Sequence, residues 1–206
     1  MTPPIPTGCW AAALSRARPP LSDPLDLAVR TGLPDDMLYL VRDLPRDRWI
    51  GLDQTAAFWL QMHAGFRAQQ GRMAALTGRW RAGDLDLRGL HDAVLPELQA
   101  FLQHLDGHHR IESGHYFPAF RRIEPRIQHG LDLLDRDHDA IHAHLEALLQ
   151  SGLAFHHAVR DGAPGAPDRA HRLSDILDQA APALTRHLDD EEDIVIPLMT
   201  LRGGVA

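Results

Sequence analysis

The stretch His108-His109-Arg110-Ile111-Glu112-Ser113-Gly114-His115-Tyr116-Phe117-Pro118 decides how this chain is read, because its skeleton returns as His187-Leu188-Asp189-Asp190-Glu191-Glu192-Asp193-Ile194-Val195-Ile196-Pro197. Both copies read His-x-x-x-Glu, with a proline six residues after the glutamate. On a helix, positions i and i+4 share a face one turn apart, so each copy aims an imidazole and a carboxylate at one point. That is a metal-ligand spacing. His63, in Trp59-Leu-Gln-Met-His63-Ala-Gly-Phe66, precedes the first copy, and His138-Asp-Ala-Ile-His142 precedes the second. The chain divides into two helix pairs, each supplying ligands.

Composition narrows the function. A chain of 206 residues suits one domain, or one domain with an appendage, and is long enough to close a core without covalent staples. The formal charge of −7 argues against nucleic acid, and the 21 basic residues, all arginine, are scattered among acids rather than gathered in a stripe. A lone Cys9 excludes an internal disulfide framework and a thiolate metal site. No apolar run reaches membrane-spanning length, and Met1-Thr-Pro-Pro-Ile-Pro6 lacks the basic region of a secretory signal, so a cytoplasmic protein with no membrane partner is expected. The 14 histidines are the unusual feature, and the helical faces they occupy carry the reading.

Pro3, Pro4, Pro6, Pro19, Pro20, Pro24, Pro34 and Pro45 predict an irregular Pro-rich arm over residues 1–50, wrapping a domain of residues 51–202. Within the arm only Asp36 to Val41 reads as a short helix. The first long helix is expected from an N-cap at Asp53 to Arg81, with Ala56, Trp59, Leu60, His63, Phe66 and Gln70 inward. The second runs from Leu87 to Tyr116, and Pro118 and Pro125 close it. Measured at about 100° per residue from His108, the residues Phe101, His104, Ile111, Glu112 and His115 fall on its inner side and His109 toward the edge. A third helix, Arg126 to Gln150, carries Ile127, Leu131, Leu134, His138, Ile141, His142, Leu145 and Leu149 in one stripe. After the Gly/Pro-rich loop Asp161 to Pro167, a fourth runs to Met199 with Leu173, Ile176, Ala180, Ala183, Leu184, His187, Glu191, Ile194 and Leu198 inward. Together they predict an all-α protein, an antiparallel four-helix bundle with its site in the core.

Burying five imidazoles and two carboxylates in one core without a counter-charge costs several kcal/mol per ionised group. A bound cation removes that penalty, so His63, His108, Glu112, His138, His142, His187 and Glu191 form the expected ligand set. A bundle site built on two Glu-x-x-His motifs does not fit, since Glu112-Ser-Gly-His115 supplies the only one. A structural zinc takes four ligands, whereas two carboxylates long enough to bridge suit a pair of metals. On the fourth helix Glu191 lies about 40° from His187 and Glu192 about 140° away, so Glu191 is the expected ligand, and Asp189, Asp190, Glu192 and Asp193 read as a solvated face. His91, His104, His109, His129, His144, His156, His157 and His171 read as ordinary residues, His104 being the one that faces inward.

At these positions the chain resembles the hemerythrin-like family of HHE cation-binding domains. The family pattern is a lone His on the first helix, His-x-x-x-Glu on the second, one His or His-x-x-x-His on the third, and His-x-x-x-Glu or His-x-x-x-x-Asp on the fourth. His63, then His108 with Glu112, His138 with His142, and His187 with Glu191 match it in order over about residues 53–200. The resemblance implies two non-heme Fe ions joined by both glutamates and an oxo or hydroxo bridge, one bound by His138, His142 and His187 and the other by His63 and His108. The chain departs from the pattern at Ser113, where many members carry Glu, and at His115. His115 would be a further ligand or a donor behind the ligands, and its distance from His108, about 10 Å along the axis, favours the second.

The resemblance leaves two function classes. One is a protein that binds or senses a small diatomic, O2 or NO. The other is a di-iron oxidoreductase consuming peroxide or nitric oxide, or an iron storage or repair protein. The paired cysteines of some repair-type relatives are missing, which favours binding or sensing.

Overall fold

The computed structural model describes residues 23–203, all-helical apart from turns, with no strand among them. Cys9 and the first five prolines of the expected arm lie outside the described residues. From Asp23 the chain runs through turns into α1 (Tyr39–Asp43) and a 3₁₀ turn (Arg46–Arg48), then α2 (Gln54–Arg81) and α3 (Leu87–Ile111). A π turn (Glu112–Tyr116) joins α3 to α4 (Phe117–Ile123), and a 3₁₀ turn (Pro125–Ile127) leads into α5 (Gln128–Arg160) and then α6 (Ala166–Arg202).

Helix starts follow their caps. Asp53 accepts from the Thr55 and Ala56 amides at the head of α2, and Asp86 from the Gly89 amide at the head of α3. Gly83, at φ +81°, and Gly162, at φ +62°, make the left-handed turns that follow α2 and α5. Two ends differ from expectation. Helix α5 continues to Arg160, ten residues beyond Gln150, because Leu148, Gly152 and Phe155 carry its buried stripe onward to the Gly-containing stop. The chain also stays helical through Pro118, which occupies the first turn of α4, where a proline needs no amide partner.

Helix α2 packs on α3 and α6, and α5 packs on α3 and α6, so the four long helices close a ring of contacts. One apolar cluster, with Phe66, Met73, Leu98, Phe101, Leu105, Leu148, Phe155 and Leu184, fills one end of that ring. A second, with Trp59, Phe117, Phe120, Leu131, Leu134, Ile194 and Leu198, fills the other. The histidines and glutamates of the two motifs lie between them. The C-terminal half of α6 is buried on nearly every side, Ile194 to Met199 without a break, because α1 and its Leu40 cover the face that the bundle leaves open. No helix among the described residues is long and apolar enough to cross a membrane.

Candidate metal centre

The side chains converge in two groups. His109, His138 and His187 bring one nitrogen each within 4.8 Å of one another, and His63, His108, Glu112 and Glu191 do the same with their ligand atoms. The carboxylates link them. Glu112 has Oε1 2.7 Å from His108 Nε2 and Oε2 3.5 Å from His138 Nε2. The Oε2 of Glu191 is 3.4 Å from His63 Nε2 and 3.7 Å from His187 Nε2. Each glutamate thus reaches an imidazole of both groups.

These atoms are buried and short of partners. Both oxygens of Glu112, Oε2 of Glu191, Nε2 of His138 and of His187, and both nitrogens of His109 have no hydrogen-bond partner. Orphaned buried groups cost about 1–3 kcal/mol each. Their clustering at one point, as neutral imidazole and carboxylate donors, fits a cation or a pair of cations.

The outward nitrogens are held. His63 Nδ1 lies 3.1 Å from Glu192 Oε1, which Arg67 also engages at 2.7 Å. His187 Nδ1 lies 3.3 Å from Asp137 Oδ2. His138 Nδ1 donates at 2.9 Å to Ser113 Oγ, which in turn donates at 2.7 Å to Asp135. With Nδ1–H tied to an acceptor, Nε2 of each ring is left free toward the centre. Trp59 Nε1 donates to Glu191 Oε1 at 3.2 Å, fixing that carboxylate's second oxygen.

Burial and the neighbouring Glu191 and Asp135 push the Glu112 carboxyl well above the usual range. Burial also acts to raise Glu191, but His63, His187 and His108 outweigh it and hold that group well below. His63 is raised above the ordinary imidazole value, since Glu191 and Glu192 overcome its desolvation. Burial pushes His108 and His138 down to about 4, and pushes His109 well below 6.5 with help from His138 and His187. Without a cation, then, the proton resides on Glu112 and His63, and His108, His109 and His138 are neutral donors.

Six residues of the expected set come together: His63, His108, Glu112, His138, His187 and Glu191. His142 does not join them. Its ring is 43% exposed and faces Asp106, with Nε2 3.4 Å from Oδ1. His109, expected at the edge, is 1% exposed and stacks on His138, ring centroids 4.1 Å apart. A signal for this lay in the sequence. Leu90, Val94, Leu98, Phe101 and Leu105 form the buried stripe of α3, and from Leu105 the helix turns about 40° to His109 but about −60° to His108. Measuring from His108 skewed the face, which also explains why His104 is exposed.

His115 is exposed as well, because the π turn inserts an extra residue and carries the chain off the α register just after Glu112. Among the acids near Glu191, Asp190 and Glu192 are buried rather than solvated, Arg30 and Arg46 of the N-terminal segment reaching over that face of α6.

A bundle that gathers imidazoles and shared carboxylates in two adjoining core groups defines a cation-binding helical protein. The model of the hemerythrin HHE cation binding domain matches residues 54–198, and the chain belongs to that family. No curated protein and no solved structure matches it.

Proposed function

We propose that this chain is an antiparallel four-helix bundle, cytoplasmic, that holds two non-heme iron ions and reversibly binds a small diatomic, O2 or NO. The observation that supports this most is the pair of glutamates whose oxygens reach imidazoles of both donor groups. One ion would take His109, His138 and His187, the other His63 and His108, with Glu112 and Glu191 shared. Iron held there would supply a redox-active centre able to take a small exogenous ligand. The protein's part is to hold the donors and exclude water. Glu192, Asp137 and Ser113 orient His63, His187 and His138, and Trp59 orients Glu191.

A cavity of about 50 Å³, one turn away along α3, α5 and α6, is lined by Phe101, Leu105, Ile141, Leu145, Ala180 and Leu184 among others. It has room for a molecule of diatomic size, and its lining is mostly apolar, with Gln70, His144 and Asp178 its polar members. Anaerobic loading with ferrous iron, then exposure to air, tests the reading through the optical spectrum. An oxygen-to-iron charge-transfer band that forms in air and vanishes under argon is expected. Rapid turnover of added peroxide, with no reversible band, would favour the oxidoreductase instead.

A further inference from the structure

Arg30 lies before the residues matched by the family model, yet its side chain is only 1% exposed and reaches Asp137 and Asp190 beside the donor groups. Its Nη1 donates to Asp137 Oδ1 at 2.8 Å and its Nη2 to Asp137 Oδ2, the same oxygen that His187 Nδ1 approaches at 3.3 Å. Its Nε donates to Asp190 Oδ2 at 2.7 Å, one residue before Glu191. The segment around it is anchored independently. Leu27 packs in the first apolar cluster, the Leu25 carbonyl accepts from Arg136, and the Thr31 carbonyl accepts from Arg186.

A guanidinium with this fork geometry fixes a carboxylate in both position and plane. Asp137 so fixed presents one oxygen to His187 Nδ1–H, and that bond sets the ring so that Nε2 faces the donor group of His109 and His138. Remove Arg30, and two buried carboxylates lose their shared cation. Asp137 is then free to turn away from His187.

We propose that residues 23–31 are a strap whose docking and the loading of metal at His109, His138 and His187 are coupled through Arg30, Asp137 and His187. Arg30 is a positioning residue in this scheme. The coupling rests on the metal-binding reading above. It is reciprocal: a docked strap raises metal affinity at that half of the site, and bound metal holds the strap down by the same factor.

The test uses the full chain and ferrous iron under anaerobic conditions, with two measurements. The first is competition titration of wild type, Arg30→Met, Arg30→Lys and, as a control, Arg81→Met, whose partners Asp175 and Asp178 are exposed. The expected result is that Arg30→Met weakens one bound iron by about 10–100-fold and leaves the other unchanged, with Arg30→Lys intermediate and Arg81→Met like wild type. The second measurement is amide hydrogen exchange of the wild type, which needs no variant to fold. Iron should slow exchange over residues 25–31. Equal loss of both irons, no loss of either, or exchange in the strap that ignores iron would each overturn the coupling while leaving the metal reading standing. A wild-type chain that takes up no iron overturns both.

Discussion

At the scale of single residues, the centre is a problem of which groups face one another. Glu191 carries an oxygen without a partner at the junction of both donor groups, whereas both oxygens of Glu192 are engaged, Oε1 by His63 and Arg67 and Oε2 by Arg46. Glu191→Gln should therefore abolish iron binding, and Glu192→Gln should retain it with affinity reduced by about 10–100-fold. Iron per chain after desalting separates the two. In the same assay His109→Ala should remove about half of the bound iron, and His142→Ala should remove none, since the His142 ring faces Asp106 instead.

Protonation gives a further residue-scale prediction. Among the donors of the centre, Glu112 and His63 are the groups whose values are raised, so in the metal-free protein they keep protons above their ordinary values of 4.5 and 6.5. A raised group stabilises the fold below its unfolded value, and that stabilisation is lost as pH rises through the folded one. His108 and His138, held at about 4 when folded, carry no proton for a cation to displace above pH 6.5. A cation bound between the two glutamates would replace the protons on Glu112 and His63. The difference in melting temperature between loaded and metal-free protein should widen as pH rises above the ordinary imidazole value of 6.5, with iron affinity rising in parallel. A pH-independent difference would contradict this account.

At the scale of elements, the register of α5 can be tested away from the site. Leu148 is 2% exposed and Leu149 is 41% exposed, although the stripe drawn through His142 puts Leu149 inward. In chemical denaturation of the metal-free protein, Leu148→Ala should cost about 2–5 kcal/mol and Leu149→Ala less than about 0.5 kcal/mol. On α3 the face measured from His108 lies about 60° from Leu105 on the buried stripe, and on α5 His142 and Leu149 sit at the exposed edge of the stripe, so His109 turns inward and His142 does not. The π turn after Glu112 adds a local break in period, and it brings Ser113 to His138 while turning His115 outward.

At the scale of the whole molecule, the bundle places its polar centre between two apolar clusters, so the metal-free state buries uncompensated donors in the middle of its own core. Ligand binding to the folded state alone adds about 2.7 kcal/mol when free ligand is 100 times its dissociation constant. Ferrous iron in such excess should raise the midpoint of thermal unfolding by several degrees, and a chelator should reverse the rise. Calorimetry with and without chelator checks both directions.

The sequence alone determined the four long helices, the Asp53 cap, the family and six of the residues that converge, because each rests on local spacing that a helix converts directly into direction. The pairs His108 with Glu112 and His187 with Glu191 needed no tertiary information, whereas His138 with His142 did. Tertiary structure decided the absolute rotation of each helix, since period sets only relative angles and the neighbouring helices choose which angle faces inward. It also decided the fate of Asp137, Asp190 and Glu192, charged positions that are buried because arginines arrive from the N-terminal segment and from α2. Arg30 meets Asp137 and Asp190 across 107 and 160 residues of chain, a separation at which no spacing rule in the sequence operates.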